Sequence, residues 1–136
     1  MGEALVDVVI GANGTPGEVP GGSCANVALA LGRLGRELTL ITRLGNDERG
    51  ADVRRSLEDS DATVRGSTAR RTAIAEANLD MNGSASYRVE LDWDLPEASI
   101  PSSAGLVHFG SIGVPRTRFG CRRSGHRTTP RICDRL

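Results

Sequence analysis

The chain has 136 residues and 38% apolar content, enough for one domain with a core and too few for two. No apolar run reaches bilayer-spanning length, no basic stretch precedes a hydrophobic one at the N-terminus, and three cysteines cannot form a closed disulfide framework. These features exclude membrane-spanning and disulfide-stapled classes, and the expectation is a soluble cytoplasmic protein with no membrane partner.

The formal net charge of zero hides a split, since residues 1–115 carry 10 arginines against 16 acidic residues, while 116–136 carry 7 arginines and one aspartate. All 17 basic residues are arginine. The chain reads as an acidic domain up to Pro115 and changes character after it.

In chain order, "ALVDVVI" (4–10) is a β-branched run bounded by glycine and predicts a buried strand. "GANGTPGEVPGG" (11–22) is too rich in Gly and Pro for a helix and reads as a loop with short extended pieces. Ser23 is placed to cap the following helix, with Val27, Ala28, Leu31 and Leu34 at helical spacing and Gly35 as the stop. "ELTLITRLG" (37–45) predicts a second strand. A second helix follows, capped by Asn46 or Asp47, with Ala51, Val53 and Leu57 inside and Arg54 and Arg55 on a solvated face before Glu58 and Asp59. Strand, helix, strand, helix is the order of an α/β fold with a parallel sheet.

The pattern then alternates. "RTAIAEANLDMNGSASYRVEL" (71–91) predicts a hairpin turning at Asn82 and Gly83, with small residues at Ala73, Ala75 and Ala77 that let it stand off as a flap. Trp93 is expected to anchor its end. "AGLVHFG" (104–110) returns to the buried-strand type and carries His108 as a packed, hydrogen-bonded histidine. Residues 115–136 have only scattered large apolar positions (Phe119, Ile132, Leu136) and are expected to be disordered.

Gly21 and Gly22 at a helix mouth first suggest an anion cradle. No GxxxxGK[ST] or GxGxxG accompanies them, and the pair alone is equally explained by a tight turn. Asp7 adds to the argument, because a carboxylate within a buried strand is costly unless it is paired or faces a ligand. Asp7, the backbone of Gly21 and Gly22, and Asn26 together offer an acceptor, donors and a mixed group. That mixture suits the adjacent hydroxyls of a polyol better than a phosphate.

The order "GEALVDVV", "GGSCANVALALGRLG", "LITRLGNDERGADVRRSLED", hairpin, "LVHFGSIG" resembles the N-terminal half of the ribokinase-like (PfkB) carbohydrate kinases, fructokinase-type members above all, over residues 2–114. GGxxxN is met by Gly21, Gly22 and Asn26, and GxDxxG by Gly45, Asp47 and Gly50. The resemblance implies a partial ribokinase-like fold: a parallel sheet with flanking helices, plus a hairpin lid at about 71–91. It implies ATP-dependent phosphorylation of a sugar hydroxyl, with a fructose-like substrate bound by Asp7, Gly21, Gly22 and Asn26. Gly45 and Asp47 would border the sugar, Gly50 would let the next helix pack, and the lid would close over the site and pair in a homodimer.

ATP and Mg2+ are the cofactors the family implies. Its catalytic base and nucleotide site belong to a C-terminal half bearing a GAGD motif. This chain has no GAGD, and its only Asp after residue 94 is Asp134. No catalytic, cofactor-binding or metal-binding residue is therefore assigned, and the chain is expected to be a sugar-binding half, inactive alone. Family-like sequence stops within "GSIGVP", which reads as a frameshift or premature truncation of a sugar kinase gene. Two alternatives stay open: a non-catalytic remnant that binds sugar or pairs through its lid, and an Arg-tail nucleic-acid binder without base-reading motifs. Cys121, His126 and Cys133 lack metal-ligand spacing.

Overall fold

Residues 1–11, 14–79, 84–91 and 100–110, with the backbone of 131–133, are described by a computed structural model of the chain. The elements are strands β1 (Leu5–Ile10) and β2 (Pro16–Gly21), helix α1 (Ser23–Arg33), β3 (Leu38–Gly45), helix α2 (Glu48–Glu58), β4 (Ala62–Ala69), β5 (Ile74–Leu79), β6 (Ala85–Glu90), β7 (Leu106–His108) and β8 (Arg131–Cys133). The architecture is α/β. A four-stranded mixed sheet has the order β2-β1-β5-β6, and β3 with β4 and β7 with β8 form parallel pairs.

The strand pairing refines the expectations. Residues 16–21 are a strand antiparallel to β1 and not a loop, because β1 supplies the ladder partners that local composition does not foretell. β1 runs parallel to β5 and antiparallel to β2, while the expected parallel pairing of the α/β body is that of β3 with β4. The hairpin forms as expected, β5 antiparallel to β6 with Leu79 opposite Ala85, and it stands outside the β3–β4 pair, joined to β1 and β2 in the mixed sheet. Its turn at Asn82 and Gly83 lies outside the described residues, as do Trp93, Phe119, Cys121, His126 and Leu136. β4 is an additional strand, and the part of the tail that is described, Arg131–Cys133, is a strand on β7 rather than a disordered segment.

The chain passes between the layers at its first residues. The Gly2 N–H donates to the Ile41 carbonyl at 3.1 Å and the Gly110 N–H to the Met1 carbonyl at 3.1 Å, so residues 1–3 lie between β3 and the end of β7. The core gathers Val6 and Val8 of β1, Cys24, Ala25 and Ala28 of α1, Leu40 and Leu44 of β3, and Val53 and Leu57 of α2.

The inward face of α1 differs from the expected one. Ala28 is buried, but Val27 is half-buried and Leu31 and Leu34 are exposed. The helix lies so close to the turn before β4 that a Cβ on Gly32 would collide with the Ser60 carbonyl. Only small side chains fit there, and the leucines turn outward. Ala51 of α2 is likewise exposed.

Ser23 is not the cap of α1; Gly22 holds that position with φ 103° and offers no side chain. The helix ends as expected at Gly35 (φ 68°), whose N–H bonds the Gly32 carbonyl while Arg36 bonds Leu31, a Schellman closure. On α2, Arg54 faces Glu58 at 3.7 Å, whereas Arg55 pairs with Asp52 at 2.7 Å and not with Asp59. Such exposed pairs each contribute about 0.3–0.5 kcal/mol.

Candidate functional site

The antiparallel register of β1 and β2 sets Leu5 opposite Gly21 and Asp7 opposite Val19. The Asp7 carboxylate folds over Gly21, where any Cβ would collide with it. Glycine is required at 21 by that contact, and at 22 by a backbone conformation that side-chained residues rarely adopt. Asp7 is half-buried and, among the described residues, accepts no hydrogen bond, and burial raises its carboxyl above the ordinary carboxylate range. One turn into α1, the Asn26 N–H bonds the Gly22 carbonyl at 2.9 Å and its side chain is exposed. Asp7 and Gly21 are thus in contact at the mouth of α1, with Gly22 next in the chain and Asn26 one helical turn along.

The helix mouth is already supplied with an anion. Glu3 is buried, and its Oε1 accepts the Ser23 N–H at 3.2 Å and also the Ser23 hydroxyl. A second anion such as phosphate would be repelled here. Glu3 has no place in the GGxxxN pattern. Its only trace in the sequence is a charged residue at the foot of an apolar strand.

Gly45 and Asp47 form a second cluster, joined by a residue the motif does not include. Asp47 caps α2 by accepting the Gly50 N–H on Oδ1 at 2.8 Å. It also accepts the Thr72 N–H on Oδ2 at 2.8 Å and the Thr72 hydroxyl on Oδ1 at 2.5 Å. Thr72 is buried, and its oxygen takes the Gly45 N–H at 3.0 Å. Gly50 must lack a side chain because a Cβ would run into the Gly45 carbonyl. Burial pushes the Asp47 carboxyl up, but the bonds from Thr72 and Gly50, with Arg49 nearby, outweigh it and hold the group below the usual carboxylate range. Both oxygens of Asp47 are thus engaged within the protein, tying the loop after β3 to the root of β5.

Beside this cluster lies an open cleft of about 460 Å³ that includes Asp47, Arg49, Arg71, Thr72 and Glu90 in its lining. Of the candidate sugar-site residues Asp47 reaches it, whereas Asp7, Gly21, Gly22, Asn26 and Gly45 are not in its lining. Arg49 at its rim makes a two-pronged pair with Glu18, its Nε at 2.8 Å, which links α2 to β2. Among the described residues no helix is long and apolar enough to cross a membrane.

The model of the pfkB family of carbohydrate kinases matches residues 3–83. The chain is 34% identical over 123 residues to a fructokinase of Klebsiella pneumoniae, covering 84% of this chain and 40% of that one. It is 31% identical to fructokinase-2 of Solanum lycopersicum, again with 84% and 40% covered. Among solved structures, a Pyrococcus horikoshii sugar kinase in complex with ATP superposes with a TM-score of 0.69 at 28% identity, over 85% of this chain and 43% of that chain. The fructokinase of Halothermothrix orenii gives a TM-score of 0.69 at 26% identity, over 79% and 44%. The chain spans about two fifths of the length of these curated relatives.

Proposed function

We propose, since the chain belongs to the pfkB family of carbohydrate kinases, that it carries the sugar-binding part of a kinase that phosphorylates a fructose-like sugar at the expense of ATP. The observation that carries this reading is the Asp7 carboxylate, without a hydrogen bond from any described residue, lying over Gly21 at the mouth of α1. A half-buried carboxylate that accepts no hydrogen bond from the described residues is matched by a ligand rich in hydroxyl donors. The backbone at Gly21 and Gly22 and the Asn26 amide supply the complementary donors and acceptor. Asp47 acts in this reading as the bracket that holds the bordering loop and Gly45 in place, rather than through a free oxygen.

The residues described do not fit ATP with Mg2+. Both helix starts that would favour a phosphate carry a protein carboxylate instead, Glu3 at α1 and Asp47 at α2. We therefore place the nucleotide site, the catalytic base and the metal ligands outside residues 1–110, and expect no phosphoryl transfer by the 136-residue chain on its own. On this reading residues 1–114 are the kinase part and the arginine-rich remainder is foreign to it, as a frameshift near Pro115 would leave it. Translating the other frames beyond Pro115 tests that division.

The direct test is calorimetry with fructose, ribose and glucose, alongside a coupled assay for ADP. Wild-type chain is expected to bind fructose and release no ADP above background. Asp7→Asn is expected to weaken fructose binding at least tenfold, as losing a hydrogen bond to a charged group costs about 1.5–3 kcal/mol. The same change is expected to raise thermal stability slightly at neutral pH. A carboxyl raised by burial penalises the ionised native state once pH exceeds the ordinary value near 3.8, and Asn removes that penalty. Equal fructose affinity in both proteins would count against Asp7.

A pairing role for the mixed sheet has its own support. Strand register puts Val19, Asp7, Ala75 and Val89 in one row and Val9, Ala77 and Tyr87 in the next, on a single face. Val9, Val19, Tyr87 and Val89 on that face are exposed, Tyr87 at 75%. An apolar face of this kind suits a second copy of the sheet. Light scattering is expected to report a dimer that Tyr87→Lys converts to monomer, and an unchanged mass would reject the pairing.

A further inference from the structure

Glu3 is a carboxylate with 2% exposure that plays no part in the proposed sugar contacts. A helix of this length is normally capped by the side chain of its own first flanking residue. In α1 that residue is Gly22, which has none. The cap comes instead from Glu3, 20 residues earlier in the chain, through Oε1 to the Ser23 N–H at 3.2 Å and to the Ser23 hydroxyl. The main chain of Glu3 closes on the same turn, since a Cβ on Gly22 would stand 2.8 Å from its carbonyl oxygen.

The other oxygen, Oε2, is buried without a hydrogen-bond partner among the described residues. It lies against Gly110, beyond β7, where a Cβ would come within 2.6 Å of it and of the Cys24 sulfur. Three segments therefore converge on one side chain: the foot of β1, the mouth of α1 and the end of β7. An unpaired buried acceptor costs about 1–3 kcal/mol. For α1 capping alone, a serine or aspartate beside the helix would serve without that cost.

We propose that Glu3 is a positioning residue of the sugar site. It sets the turn at Gly21 and Gly22 so that Gly21 lies beneath Asp7 and Asn26 follows one helical turn later. This rests on the sugar-binding reading given above. Glu3 touches none of the sugar-facing groups through its own side chain and acts through Ser23 and the glycine turn.

The test uses the full chain, D-fructose as probe in calorimetry, and amide hydrogen exchange read residue by residue. Glu3→Ala is expected to weaken fructose binding at least tenfold and to speed exchange at residues 23–26, with 40–44 unchanged. Glu3→Gln keeps the Oε1 acceptor and is expected to stay within threefold of wild type on both measures. Ser23→Ala, at an exposed position, removes one of the two bonds and is expected to weaken fructose about threefold at unchanged Tm. A role confined to stability would move Tm and leave affinity alone.

Glu3→Ala with wild-type affinity or wild-type exchange at 23–26 overturns the proposal. If that variant does not fold, Ser23→Ala with wild-type affinity does the same. Wild-type chain that binds no fructose rejects the sugar reading instead. In that case faster exchange at 23–26 in Ser23→Ala still supports the hold of Glu3 on the turn, and unchanged exchange rejects it.

Discussion

Replacing Asp47 by alanine is expected to lower the stability of the chain by about 2–4 kcal/mol, the sum of a lost helix cap and of buried donors left without an acceptor. The cap is the bond from the Gly50 N–H, and the stranded donors are the N–H and hydroxyl of the buried Thr72. In urea the midpoint is expected to fall by on the order of 1 M with little change in slope, because the surface exposed on unfolding stays the same. Asp47→Asn separates shape from charge. It retains an acceptor for Gly50 but can turn an NH2 group toward the Thr72 N–H, so an intermediate loss is expected.

The pH dependence has a definite sign. The folded carboxyl of Asp47 is held below the ordinary 3.8, so its stabilising contribution is complete above that value and is lost as pH falls through the folded pKa. Wild type minus Asp47→Asn is therefore expected to be flat from pH 7 to 5 and to shrink below pH 4. A difference that grows toward acid would mean the bracket does not favour the ionised group. Subtraction is needed because Glu18, lowered by its bond to Arg49, adds an acid-sensitive contribution of its own.

Gly32→Ala is the second large effect, and two terms oppose each other. Alanine in a helix interior is favoured over glycine by about 1 kcal/mol. Against this, the new methyl would collide with the Ser60 carbonyl, and main chain cannot step aside as a flexible side chain does. Overpacking costs about 1–3 kcal/mol and more when backbone must move, so a net loss of about 2 kcal/mol is expected. Gly35→Ala is the control. Nothing lies within 4 Å of that position, and the cost there comes from φ 68° alone, about 1 kcal/mol. Thermal melts of the two variants are expected to rank Gly32→Ala as the less stable. A stabilised Gly32→Ala would show that α1 does not lie this close to the turn before β4.

Gly32 also shows why the inner face of α1 is hard to read from sequence. Leu31 and Leu34 dominate any count of apolar periodicity, yet contact distance favours Cys24, Ala25, Ala28 and Gly32. The strands divide in the same way. "LVDVVI" and "LTLITRLG" announce themselves by composition, whereas "PGEVPG" and "ATVRGSTA" become strands only because β1 and β3 offer ladder partners. The reading of 71–91 as a hairpin was accessible from alternation. That β1 would join it was not, because nothing local distinguishes a strand of one sheet from a strand of another.

The candidate site divides along similar lines. Asp7, Gly21, Gly22 and Asn26 are legible because two glycines and a helical turn bring them together within a short stretch, with one strand partner. Glu3 and Thr72 are not, since their roles come from partners 20 and 25 residues away. Asp47 was legible as a motif member, but the assignment of both its oxygens depends on Thr72, which no spacing rule names.

Beyond its direct passage from Gly21 into α1, the mixed sheet joins the α/β body through Ala4 into β1 and through Thr72 into β5. The Val6 N–H bonds the Ala73 carbonyl at 3.0 Å just above both of them. The sheet is thus held along one edge at three neighbouring places, and Arg49 braces it from α2 through Glu18. Releasing either fastening, at Glu3 or at Asp47, is expected to loosen that edge.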